Sequence, residues 1–163
     1  MSWNAMTYEG KDTVLRVVRD QAAGFFTLAE EPDTWTAQTA CPEWEVRDIV
    51  GHIVDTTEGY FPAFDAARSR SEIAPAYGLI GMAKRAEEQG RSFRDLPQRE
   101  MVERLRTDFD KMMGIFDGLT AEDWTGLMVS HFYMGPVPAF APPYVPVGPV
   151  VGGSILPGQH IAS

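Results

Sequence analysis

Between Pro97 and Asp117, the residues Met101, Leu105, Phe109, Met112 and Phe116 recur every three or four positions. That spacing gathers side chains on one face of an α-helix, so the segment predicts an amphipathic helix opened by the proline. The same period runs through residues 11 to 30, at Val14, Leu15, Val18, Ala22, Phe25, Phe26 and Leu28. It returns from Glu45 to about Arg70, at Val46, Ile49, Val50, Ile53 and Val54, with Glu45 and Asp48 near the positive helix start. Pro62 is expected to kink or end that helix. A further helix is predicted over roughly Tyr77 to Gln89, with Gly90 as its stop, and "LTAEDW" gives Thr120 as an N-cap with Asp123 three residues later. No alternating segment is strong enough to build a sheet. The expected fold is all-α: four main helices in an up-down bundle.

A chain of 163 residues supports one domain with a genuine core. The net charge of -9 opposes a nucleic-acid backbone or an anionic membrane, which leaves a small molecule or a protein as partner. The single cysteine, Cys41, excludes a disulfide framework; beside a proline in a loop, it is expected to be structural or incidental. The start, "MSWNAMTYEGKD", lacks a basic region followed by an apolar run, and no apolar stretch of about 20 residues could span a bilayer. The chain is therefore placed in the cytoplasm. No phosphate-binding glycine loop occurs.

The last forty residues differ from the rest. After Asp123 there is no Asp, Glu, Lys or Arg, and residues 134 to 163 hold seven of the twelve prolines and five glycines. The expected division is a helical body over 1–140 and an irregular Gly/Pro-rich tail over 141–163.

The candidate site is "TACPEWEVRDIVGHIVD", residues 39 to 55, which places His52 in the middle of an apolar helix. Two readings are open. Its nitrogens could be satisfied by a backbone carbonyl or by Asp48 one turn earlier, or the imidazole could be a metal ligand. The other histidines, His131 and His160, form no HxxxH or HExxH pair with it. Asp55 and Glu58 turn to neighbouring faces and read as solvated charges, as do Arg99, Arg104 and Arg106 on the later helix. Trp35 and Trp44 are expected to pack the preceding loop onto the body.

"CPEWEVRDIVGHIVD" resembles the signature of the mycothiol-dependent maleylpyruvate isomerase family, within the DinB-like superfamily of metal-binding four-helix bundles. There a Pro-x-Trp-x-Val-x-Asp turn precedes the helix bearing the first metal histidine, a position that His52 matches. The likeness continues at "LTAEDW" and "VSHFYMGPVPAF", and covers about residues 10 to 140. It implies a divalent metal, zinc by preference, that acidifies the thiol of mycothiol. The thiolate would add to an electrophilic small molecule, as an isomerase or a thiol transferase. His131 lies before the Met-Gly-Pro turn and is not expected to be a ligand.

After "MGPVPAF" the family continues into a helix carrying an acidic ligand and a histidine four positions on. This chain runs instead into "APPYVPVGPVVGGSILPGQHIAS", in which the acidic ligand has no counterpart and His160 is out of register. Truncation or a frameshift would produce that change. Two functions follow: a mycothiol-dependent enzyme with His52 as metal ligand, or a catalytically incompetent binding or relic module, as a homodimer covering the apolar surface that the missing helix leaves.

Overall fold

Lys11–Glu30 forms the first helix, α1, over the residues its periodicity marks. A computed structural model gives the fold and describes residues 4–72, 75–131 and 135–142. Val14, Leu15, Val18, Ala22, Phe25, Phe26 and Ala29 are buried along one face of α1. Leu28, expected with them, is 42% exposed, because it turns to the opposite side. Pro32 sets the end of α1: a residue before proline is pushed to extended backbone, and Glu31 has ψ 119°.

The second helix, α2, spans Val46–Ser69 and starts with a reciprocal cap, in which Glu45 and Asp48 each accept the other's backbone N–H. Pro62 lies inside α2 and does not end it. The ring removes one hydrogen bond, to the carbonyl of Glu58, and the burial of Tyr60 and Phe64 on either side offsets that loss. The third, α3, is Gly78–Ser92 and runs two residues through the expected stop at Gly90. The fourth, α4, is Gln98–Asp117 with Pro97 at its N-cap. A short α5, Ala121–Gly126, has the expected Thr120–Asp123 capping box.

Two strands follow, β1 (Met128–His131) and β2 (Gly135–Pro138), paired antiparallel with Val129 opposite Val137 and His131 opposite Gly135. This hairpin corrects the expectation of a chain without a sheet. Pro136 and Pro138 look like strand breakers, but in a two-stranded ribbon each strand is an edge and has one side free of the ladder. The described residues are thus mostly helical with one small hairpin. The expected tail, from residue 143 on, lies outside the described residues, as does His160.

The core has two parts. One joins the C-terminal half of α1 to the N-terminal halves of α2 and α4, through Phe25, Phe26, Ile49, Val50, Ile53, Val54, Met101 and Leu105. The other joins the opposite halves, through Leu15, Val18, Tyr60, Phe64, Met112 and Phe116, with Trp124 and Val129. Hence α1 runs against both α2 and α4. Asp55 meets Arg85 while Asp48 meets Arg94 just after α3, so α3 runs against α2 as well. Consecutive long helices therefore alternate in direction, and α2 is central, packed on α3, α4 and β1. No helix among the described residues is long and apolar enough to cross a membrane.

Candidate functional site

The turn before α2 is held by bonds from its own backbone and side chains. The carbonyl of Trp44 accepts three hydrogen bonds: from the amide of Thr39 (3.0 Å), from Thr39 Oγ1 (2.7 Å) and from Gln38 Nε2 (2.9 Å). Glu43 takes a left-handed conformation, φ 71°, which a non-glycine residue adopts only where its surroundings enforce it. Arg94 supplies part of that enforcement by donating to the carbonyl of Glu43 at 3.3 Å, and Arg91 pairs with the Glu43 carboxylate at 3.1 Å.

Asp48 anchors the same turn from below. Its two oxygens each receive one Arg94 nitrogen at 2.6 Å, and Oδ2 also accepts the amide of Glu45 at 2.8 Å. Burial works to raise this carboxyl, but the Arg94 fork and the Glu45 amide outweigh it and hold the group below the usual carboxylate range. Asp48 is fully committed, so it is no partner for His52.

One turn further on, His52 is partly buried under Trp44, whose indole meets the imidazole edge to face with ring centroids 5.4 Å apart at 68°. Among the described residues, its buried Nδ1 has no hydrogen-bond partner. This corrects the expectation that Asp48 or a carbonyl satisfies it. Burial pushes the imidazole down to about 4, so His52 is neutral at pH 7 and keeps a lone pair.

The nearby acids of α2 are half-buried and paired. Asp55 pairs with Arg85 at 2.7 Å, and its carboxyl is raised by burial against the opposing pull of that arginine. Glu58 holds Arg104 with both oxygens, at 2.6 and 2.8 Å, and Arg106 pairs with Glu30. These ion pairs tie α2 to α3, α2 to α4 and α1 to α4, where the sequence suggested free surface charge. His131 is buried in β1 against the ring of Tyr60, 6.3 Å between centroids. Tyr60 is eight residues beyond His52, about 12 Å along α2. Cys41 is a free, partly buried thiol in the turn, and its carbonyl accepts the amide of Trp44 at 3.1 Å.

One buried acid carries no signal in the sequence. Asp108 on α4 is buried, its Oδ2 has no hydrogen-bond partner among the described residues, and its carboxyl rises to about 6. Burial is the main cause, followed by the charge of Glu58 and a hydrogen bond to it.

The family model described as mycothiol maleylpyruvate isomerase N-terminal domain matches residues 15–144, from α1 to beyond β2. The chain belongs to that family. None of the curated proteins and none of the solved structures matches it. Within the mycothiol maleylpyruvate isomerase N-terminal domain family, the matched span takes in the turn, His52 and the hairpin. A divalent metal is what the family resemblance implies. The orphaned, neutral imidazole of His52 has the chemistry of one ligand. The rest of a site does not converge on it: no three His, Cys, Asp or Glu side chains come together among the described residues. Beyond them, the only such residue in the tail is His160.

Proposed function

We propose that this chain is the body of a mycothiol-dependent enzyme of the maleylpyruvate isomerase type, a DinB-like four-helix bundle in which His52 is a metal ligand. The observation that carries the reading is the buried Nδ1 of His52, left without a partner while Asp48, Asp55 and Glu58 on the same helix are each paired with an arginine. A buried polar atom with no partner costs free energy, and a bound ion is one of the few ways a native protein offsets that cost. His52 would be one of the residues holding the metal, whose contribution would be to lower the pKa of a coordinating thiol so that the thiolate forms at neutral pH.

The chain's own residues supply the setting. Burial keeps His52 in its neutral form, the only form that offers a lone pair. Trp44 covers the ring and limits water around it. Arg94 and Asp48 fix the turn from which Trp44 projects. No group of three His, Cys, Asp or Glu side chains surrounds His52 among the described residues, so its co-ligands are unassigned. The small-molecule electrophile is not specified by any of these groups.

The second reading, a binding or relic module associating as a homodimer, is favoured by the absence of a three-donor cluster among the described residues. Metal stoichiometry of purified protein separates the two. The enzyme reading expects about one zinc per chain, lost in His52→Ala with the helical fold retained. Absence of metal from both proteins sinks it and leaves the module.

A further inference from the structure

Histidines that bind metal ordinarily donate their second nitrogen to a carboxylate, a carbonyl or water, and that bond sets the orientation of the ring. No hydrogen bond to a described residue does this for His52, whose buried Nδ1 is the atom left open to a ligand. The carboxylate best placed to make it, Asp48 at one turn's distance, is occupied by Arg94 and the Glu45 amide. The ring's orientation therefore needs another source, and its aromatic neighbour provides one.

We propose that Trp44 is the positioning residue of His52, an indole fixed by the turn of residues 38–45 that does by packing what a hydrogen bond does elsewhere. The inference rests on the reading of His52 as a ligand. The contact is edge to face at 5.4 Å, a geometry that aromatic rings favour over stacking and that resists rotation about the His52 side chain.

The indole can orient another ring only if it is itself held, and two features of the Trp44 backbone turn and one packing contact of the ring hold it. Its carbonyl carries three hydrogen bonds, two of them from Thr39 and one from Gln38. Its body packs on the core formed by α1, α2 and α4. The residue before it is held in a left-handed conformation by the bonds from Arg94 and Arg91. A turn fixed at this many points is preorganised, which is the condition for positioning a functional group.

The test reads the imidazole directly and needs no turnover. Carbon-attached ring protons of His52 are assigned by NMR against His52→Ala, and the rate of its modification by diethyl pyrocarbonate is followed. In Trp44→Ala the ring-current shift of His52 should vanish and modification should accelerate about two- to tenfold, the factor that an aromatic edge contact is worth. Trp44→Phe, which keeps a ring edge, should restore most of both. If a folded Trp44→Ala leaves the shift and the rate unchanged, the proposal is overturned. Should Trp44→Ala fail to fold, Thr39→Val decides: it removes one donor to the Trp44 carbonyl and should move the same signals in the same direction, and unchanged signals overturn the idea. Zinc titration of the same proteins keeps the two readings apart. A changed ring in a protein that binds no zinc ends the ligand reading but not the positioning role, and an unchanged ring ends the positioning role whatever zinc does.

Discussion

Asp108 illustrates how a single side chain couples the fold to pH. It sits at the α2–α4 contact, where Glu58 from α2 faces it and Arg104 and Lys111 from α4 lie nearby. Glu58 is held below its ordinary value, chiefly by its bonds to Arg104, so it stays ionised while Asp108 carries the proton up to about 6. An unfolded aspartate releases its proton near 3.8. Between those values the native state binds more protons than the unfolded one, so this group's contribution to stability is full below 3.8 and is lost as pH rises through about 6. Asp108→Asn mimics the protonated acid. It should stabilise the protein at pH 8 by on the order of 1–3 kcal/mol and make little difference at pH 4, as read from urea midpoints at both values. An equal effect at both pH values would mean that Asp108 does not titrate in this range. Nothing in the sequence marks Asp108, because it lies on a helix face rich in charges and its partner is fifty residues away. His52 could be singled out because a histidine breaks an otherwise apolar stripe.

Among the elements, α4 ends without the usual device. Its C-cap, Gly118, has φ −74° and so makes no left-handed turn to satisfy the final carbonyls. Lys11, buried at the start of α1, reaches across instead and donates its ammonium to the carbonyls of Asp117 at 2.7 Å and Leu119 at 2.6 Å. The positive charge also lies at the negative end of the α4 dipole. Lys11→Met keeps the stem and deletes the donor, so it should cost about 1.5–3 kcal/mol in urea unfolding, the worth of hydrogen bonds to a charged group. A loss below a few tenths would mean that water caps α4 as well as the lysine does. The sequence shows helix bodies better than their ends, for a related reason. Periodicity and the Thr120/Asp123 cap are local and legible, and Glu45 and Asp48 are legible as helix-start charges, whereas Lys11 acts on residues more than a hundred positions away. Gly90 and Pro62 read as stops because their local cost is real, yet helix packing overrides it. The hairpin escaped notice because its strands have four residues each, too few to show an alternating pattern, and one carries two prolines.

For the molecule as a whole, the question is whether its two core regions are one cooperative unit. They share α1, α2 and α4, and Phe109 packs against both, meeting Phe26 edge to face at 5.8 Å. Trp124 closes the region that holds the hairpin. It is fully buried, donates its indole N–H to the carbonyl of Ala5 at 3.2 Å, and accepts the amide of Phe140 at 3.0 Å, so one residue joins the N-terminal turn, α5 and the segment after β2. Trp124→Ala should remove about 3–5 kcal/mol, the usual cost of a large aromatic deleted from a core. Of the three remaining indoles, Trp35 and Trp44 pack on the opposite core region and Trp3 lies outside the described residues, so in a Trp3→Phe background the fluorescence makes the coupling measurable. If the three shared helices transmit the loss, tryptophan fluorescence in Trp124→Ala will fall at the same lowered temperature as the helical signal. If Trp35 and Trp44 instead keep the wild-type midpoint while half the helical signal melts early, the regions are separate. The His52 end would then be stable without the hairpin, and damage at the C-terminal side of the domain would spare the candidate site.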